Sequence, residues 1–308
     1  DIHQDYLNFL LKYKEDWSCL KIAMDLSNGM ANLYAKEIFG DQPSYIFDTI
    51  DGRFPNHEPN PLIAKNVVAL QELVRKTGAD IGVIYDGDAD RVMFVDENAR
   101  FISPDLMIAV LGHYFLEKRG EKGIVLQDIR SSKAVGEYLT PMGAQMATWK
   151  VGRAFAANKL RELNGIYGGE LAGHYYFRDF FFSDSGLLAS MLILNVVATM
   201  KQKGVSLSKL ISRIEKYKNS GEVNFKIEDK KGAMDAVRDH FLAQEKPTAY
   251  MDFDGYRVEF PRWWFNVRPS NTEPYLRFIC EADSDELLAD KLAQVRDILM
   301  NKFGGEQK

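Results

Sequence analysis

The chain has 308 residues, 46% of them apolar, and a formal net charge of −5 from 39 basic and 44 acidic side chains. That length leads us to expect two or three soluble domains, and the acidic balance argues against a nucleic-acid groove as the main surface. The longest apolar stretch, Gly186–Met200, falls short of the roughly 18 residues a membrane span needs and reads as a buried helix, with Ser183, Asp184 and Ser185 as N-cap candidates.

In chain order, LKIAMD (Leu20–Asp25) predicts a strand, followed by the helical stretch MANLYAKEIF, the strand YIFD, the amphipathic run IAKNVVALQELVRKTG and the strand IGVIYD. After a turn near Asp96–Asn98 the alternation restarts with the helix PDLMIAVLGHYFLEKRG, then the strands GIVLQD, QMATWK and GIYGGE separated by helices. Such alternation predicts two related α/β layered units with a largely parallel sheet. Later segments such as VNFKI, YRVEF, WWFNV and YLRFICEA are short strands around few helices, so a smaller α+β domain is expected at the carboxyl end. The expected boundaries are 1–100, 101–220 and 221–308. Cys19 and Cys280 are far apart and read as free thiols of a reducing, cytoplasmic compartment. Residues 1–20 lack the basic start and apolar core of a secretory signal.

DGDADR places Asp86, Asp88 and Asp90 directly after the uncharged strand IGVIY. In open α/β sheets that strand edge is where ligands bind, and crowded carboxylates repel unless a cation offsets them. A solvated acidic turn and an EF-hand are the competing readings. Asp86, Asp88, Asp90 and Glu97 match EF-hand loop spacing, but Arg91 stands where that loop needs glycine, and both flanks are strand-like. Mg²⁺ completed by phosphate oxygens suits the set better, with Arg91 placed to meet phosphate through its planar fork.

GGELAGHYYFRD (Gly168–Asp179) combines a close backbone approach at Gly169 with Glu170 and His174, a suitable set for sugar hydroxyls; a glycine-rich connection around a satisfied histidine is the alternative. RPSNTEP offers Arg268, Ser270, Asn271 and Thr272, with Arg277 in the next strand, as an anion-binding nest, against the alternative of a polar hairpin turn.

The order DGDADR, GGELAGH, RPSNTEP, together with FPNHEPNPL (Phe54–Leu62) and the YGGE, HYYFRD and DSG segments, resembles the α-D-phosphohexomutase family, and most its phosphomannomutase/phosphoglucomutase branch. The likeness spans nearly the whole chain. It implies the family's domain 2 with the metal loop (1–100), domain 3 with the sugar loop (101–220) and domain 4 with the phosphate loop (221–308). It also implies phosphoryl transfer between O6 and O1 of a hexose phosphate, through a phosphoserine and a hexose 1,6-bisphosphate activator. Asp86, Asp88 and Asp90 would then bind Mg²⁺. Arg91, Arg130 and His174 would serve the transferring phosphoryl group and its proton. Gly169, Glu170, Arg153, Arg268, Ser270, Asn271, Thr272 and Arg277 would hold the substrate.

Three departures qualify the resemblance. Ala172 stands where the family usually has serine, and Arg153 where it often has histidine. No serine here is followed by His-Asn-Pro, the signature of the family's serine loop. The expectation is therefore that the N-terminal phosphoserine domain is missing, that the chain is inactive by itself, and that the uncovered interface favours self-association. The alternative is a catalytically dead sugar-phosphate-binding protein. Neither a nucleic acid nor a membrane is expected as a partner.

Overall fold

The uncharged run Ile81–Tyr85, buried at every position, lies at the centre of the first of three sheets in the computed structural model, which describes residues 1–270 and 273–308. The first unit runs α1 (Ile2–Leu11), β1 (Ile22–Asp25), α2 (Ala35–Phe39), β2 (Ser44–Ile46), α3 (Val68–Thr77), β3 (Ile81–Tyr85), β4 (Val92–Asp96) and β5 (Phe101–Ile102). The second continues with α4 (Pro104–Gly112), β6 (Gly123–Asp128), α5 (Lys133–Leu139), β7 (Ala144–Trp149), α6 (Arg153–Glu162), β8 (Tyr167–Gly169), β9 (Tyr175–Phe177), β10 (Ser183–Asp184), α7 (Gly186–Gln202) and α8 (Leu207–Ile214).

The two sheets repeat one plan. Their strand orders are β2-β1-β3-β4-β5 and β7-β6-β8-β9-β10. In each, the first strand pairs parallel with its two neighbours and the last strands return antiparallel. The sheets are thus mixed rather than largely parallel, because tight turns after β3 and β8 send the chain straight back and only an antiparallel partner can follow so short a connection. The layered α/β class is as expected.

Helix α7 explains how the first two units fit together. Gly186 through Ala198 is buried without interruption, and the Ser185 hydroxyl caps the helix by accepting from the Leu188 amide at 3.1 Å. A helix apolar all round belongs inside a protein. It lies with α4 in a single apolar core that takes in Tyr85 and Phe94 from one sheet and Tyr167 and Phe177 from the other. Trp17, following α1, donates its indole N–H to Asn195 of α7 at 2.7 Å.

The third unit has its own core around Phe241, Trp263, Phe265 and Phe278. It comprises β11 (Lys218–Asn219), β12 (Val223–Lys226), α9 (Lys230–Leu242), β13 (Ala249–Met251), β14 (Tyr256–Glu259), β15 (Trp263–Pro269), β16 (Tyr275–Ala282), α10 (Asp285–Arg296) and β17 (Glu306–Gln307) in one antiparallel sheet. Cys19 packs against the shared core and Cys280 lies in the third unit's core, both as free thiols. No helix among the described residues is long and apolar enough to cross a membrane.

Candidate active site

Each inner parallel strand of the two α/β sheets ends in an acid: Asp25 on β1, Asp86 just after β3, Asp128 on β6 and Glu170 just after β8. The carboxyl edges of both sheets are therefore acidic, at the rim where such folds place ligands.

The β3–β4 turn carries the three aspartates and the equivalent β8–β9 turn carries Glu170 and His174, so the two loops occupy the same position in two copies of one plan. They are joined to each other. The Val92 amide donates to the Gly173 carbonyl at 3.1 Å and Arg91 and His174 form an antiparallel bridge, while the Gly186 amide at the start of α7 donates to the Ala89 carbonyl at 3.2 Å. Gly173 is required at this join: its φ is +90°, and a Cβ there would meet the Met93 Cε at 2.6 Å.

Asp86, Asp88 and Asp90 offer carboxylate oxygens within 4.8 Å of one another. Buried Asp86 accepts from the Arg91 backbone amide at 3.1 Å and from its Nε at 2.7 Å, whereas Asp88 is exposed. Burial, with the like charges of Asp86 and Asp88, pushes Asp90 up to about 6 against a lowering influence from His174. That penalty on the ionised form and an all-oxygen donor set fit a hard divalent cation. The strands flanking the turn exclude an EF-hand, which needs helices there.

A buried carboxylate orders the neighbouring cluster. Asp184 accepts from His174 Nδ1 at 2.8 Å through one oxygen and from Arg153 Nε at 2.8 Å through the other. The Asp90 carboxylate lies 3.8 Å from both His174 and Arg153. Burial works against a charged His174, but Asp184, Glu170 and Asp90 outweigh it and raise its pKa. Burial likewise works against ionised Asp184, and its two cationic partners hold it below the usual carboxylate range. Glu170 is also buried, with Oε1 accepting from the Gly152 amide and Oε2 from the Tyr176 hydroxyl, each at 2.7 Å. Burial, then the charge of Asp128, raises its pKa.

The third element is an arginine corner. Arg130 is buried and forked onto Asp128, with Nη2 at 2.8 Å. Arg268 on β15 and Arg277 on β16 are direct cross-strand partners, a like-charge arrangement that is unfavourable unless an anion offsets it. Burial, then the adjacent Arg130 charge, lowers the Arg268 pKa.

A cleft of about 570 Å³ is lined by Arg91, Arg130, Arg153, Glu170 and His174 from the α/β units and by Arg268, Ser270 and Arg277 from the third; Asp86, Asp88 and Asp90 are not among its lining residues, and the aspartate turn reaches it through Arg91. Asn271 and Thr272 lie outside the described residues. Gly169 does not line the cleft either: a Cβ on it would come within 2.7 Å of Ile108, so its lack of a side chain serves packing against α4. The sequence suggests Asp184 as a cap candidate, but Ser185 does the capping and Asp184 holds His174 and Arg153. Asp128, Tyr176 and Glu222 are further site groups that were not expected. Of these only Asp128 carried a readable signal, as the acid that closes a predicted strand.

Comparison with known proteins gives a consistent result. Residues 4–99 match the family description "Phosphoglucomutase/phosphomannomutase, alpha/beta/alpha domain II", residues 103–217 the family's "alpha/beta/alpha domain III", and residues 222–298 its "C-terminal domain". A phosphomannomutase of Methanocaldococcus jannaschii is 34% identical over 302 residues, covering 97% of this chain and 65% of the relative. Phosphohexose mutases of Xanthomonas campestris pv. campestris are 37% identical over 295 residues, covering 94% of this chain and 64% of theirs. The crystal structure of a phosphoglucomutase/phosphomannomutase family protein from Burkholderia thailandensis superposes with a TM-score of 0.84 at 26% identity, over 98% of this chain and 64% of that one. The chain thus spans a little under two thirds of the length of these proteins.

Proposed function

The chain belongs to the phosphoglucomutase/phosphomannomutase family, and we propose that it forms the metal-, sugar- and phosphate-binding part of an enzyme that interconverts hexose 6-phosphate and hexose 1-phosphate, with mannose phosphate the first substrate. The observation that carries this reading is one cleft lined by Arg91 of the aspartate loop, by Glu170 and His174, and by Arg268, Ser270 and Arg277, with the aspartate carboxylates grouped beside Arg91.

In this reading Asp86, Asp88 and Asp90 hold Mg²⁺, which supplies charge stabilisation to a transferring phosphoryl group. Arg91 and Arg130 offer guanidinium forks to that group's oxygens. A phosphoserine donates the phosphoryl group: its O–P bond breaks as a bond to the free sugar hydroxyl forms, and the hydroxyl proton passes to a base. A bound hexose 1,6-bisphosphate then turns around and returns its other phosphoryl group to the serine. His174 is the proton carrier we favour, because its Nδ1 is committed to Asp184 and its ring lines the cleft. Arg153, in the place where the family often has histidine, remains protonated and serves binding rather than proton transfer. Arg268, Ser270 and Arg277, with Asn271 and Thr272, hold the phosphate that is not reacting.

A coupled mutase assay with Mg²⁺, mannose 1-phosphate and a hexose bisphosphate tests the reading. We expect no turnover from residues 1–308 alone and turnover when the same residues are joined to a family first domain carrying the phosphoserine. Turnover by the 308 residues alone would remove the phosphoserine relay from the scheme. Absence of turnover in both, with hexose phosphate still bound, would leave a binding protein.

A further inference from the structure

Glu222 sits in the segment between β11 and β12, just inside the third unit. Its carboxylate is met by three guanidiniums. Arg277 Nη1 donates to Oε1 at 2.7 Å, while Arg130 Nη1 lies 3.6 Å and Arg268 Nη2 3.7 Å from Oε2. Arg268 is 3% exposed and its Nε has no hydrogen-bond partner among the described residues, and the same holds for the buried Nε of Arg277. The corner therefore retains donors that Glu222 does not use, on side chains that line the cleft.

Charge counting makes the arrangement informative. Arg130, Arg268 and Arg277 face Asp128, Glu222 and Glu273, so cations and carboxylates already balance. A phosphate dianion added to that set leaves excess negative charge in a poorly solvated corner, unless a carboxylate withdraws. Asp128 is fixed by the Leu171 amide at 2.8 Å as well as by Arg130. Among the described residues the Glu273 carboxylate meets Arg277 alone, on the exposed side of the hairpin turn. Glu222 alone among the three touches all three guanidiniums.

We propose that Glu222 is a built-in competitor for the phosphate seat: its carboxylate takes the guanidiniums of Arg130, Arg268 and Arg277, and a phosphate dianion must displace it to bind. The inference deepens the reading of this corner as the seat of the non-reacting phosphate and rests on it. One consequence is selectivity, since a ligand with a single negative charge gains little by replacing a carboxylate of equal charge. A second is that phosphate binding frees the short β11–β12 segment at the start of the third unit.

The test is calorimetric titration of inorganic phosphate at pH 8 into the 308-residue chain and its Glu222→Gln variant. The expected result is tighter binding by the variant, roughly 5- to 10-fold, the low end of ordinary coupling free energies between binding groups. Unchanged or weaker binding by Glu222→Gln overturns the proposal and makes Glu222 an organiser of the arginines. Should Glu222→Gln fail to fold, ¹⁵N spectra of the arginine side chains in the unmodified chain decide instead. Phosphate should shift the Arg277 resonances as the contact with Glu222 breaks, and a contact that persists at saturation overturns the idea. Phosphate binding to neither protein, with no spectral shift, overturns the seat itself and the proposal with it.

Discussion

Asp86 and Asp88 are both acids of one turn, yet they do different work. Asp86 is buried and already neutralised by the Arg91 side chain at 2.7 Å, so it anchors the loop. Asp88 is exposed. Asp88→Asn should therefore weaken Mg²⁺ binding by at least ~10-fold, the scale found when even outer partners of a metal are removed, while leaving the thermal midpoint within about 1 °C, since surface changes of this kind cost little. Asp86→Asn should lower both, because it strands the Arg91 guanidinium against a buried amide. Titration calorimetry with Mg²⁺ alongside thermal melts separates the two. Equal losses of affinity without loss of stability in both variants would show that Arg91 does not depend on Asp86.

At the scale of elements, the docking of the third unit depends on buried polar contacts. Glu281 on β16 accepts from Ser132 Oγ at 2.8 Å, Asn219 Nδ2 at 2.9 Å and Trp264 Nε1 at 2.7 Å. Burial, then the Asp105 carboxylate, raises Glu281 from 4.5 to about 7. A carboxyl raised in the folded state contributes stability that is fully present below its unfolded pKa and is lost as pH climbs through the folded value. Stability should thus fall between about pH 4.5 and about pH 7, by up to roughly 3 kcal/mol for a shift of that size. Glu281→Gln should flatten that slope in urea melts run across the window. A slope unchanged by the variant would assign the pH dependence to other groups.

The same elements show what could be read in advance. Strands β1, β3, β6, β15 and β16 were legible because each is an apolar or alternating run closed by a turn. The helix Gly186–Gln202 was legible from its all-round apolarity. The loops carrying Asp86, Glu170 and Arg268 were legible from residue type and order. The antiparallel return of β4 and β9 was not, because pairing sense is decided by where the turn sends the chain. Nor were the partnerships of Asp184, Asp128 and Glu222. Asp184 reaches Arg153 and His174, and Glu222 reaches Arg130, across separations that no local pattern records.

For the whole molecule, the distribution of apolar packing predicts how it comes apart. One core runs from Leu7 to Ile214 and binds the two α/β units through α4 and α7, whereas the third unit buries Phe225 to Leu299 separately. What joins them is mainly polar. Arg257 donates to the carbonyls of Ile129 and Ser131 at 2.8 and 2.6 Å, the Val151 amide donates to Asp254 at 2.9 Å, and Trp149 stacks on Phe253. Cooperative unfolding follows continuous apolar cores more closely than polar seams, so calorimetry should resolve two transitions rather than three. Leu192→Ala, at a fully buried position of α7, should cost ~2–5 kcal/mol and shift only the transition of the α/β pair, by roughly 2–4 °C for each kcal/mol. Both transitions moving together would mean that the polar seam couples the cores as strongly as packing does. Independence matters for the cleft, since the Arg268–Arg277 hairpin rides on one core and the aspartate and Glu170 loops on the other. The distance between the Arg268–Arg277 hairpin and the aspartate loop can then change while both cores stay intact, with the bend falling in residues 215–217 between α8 and β11.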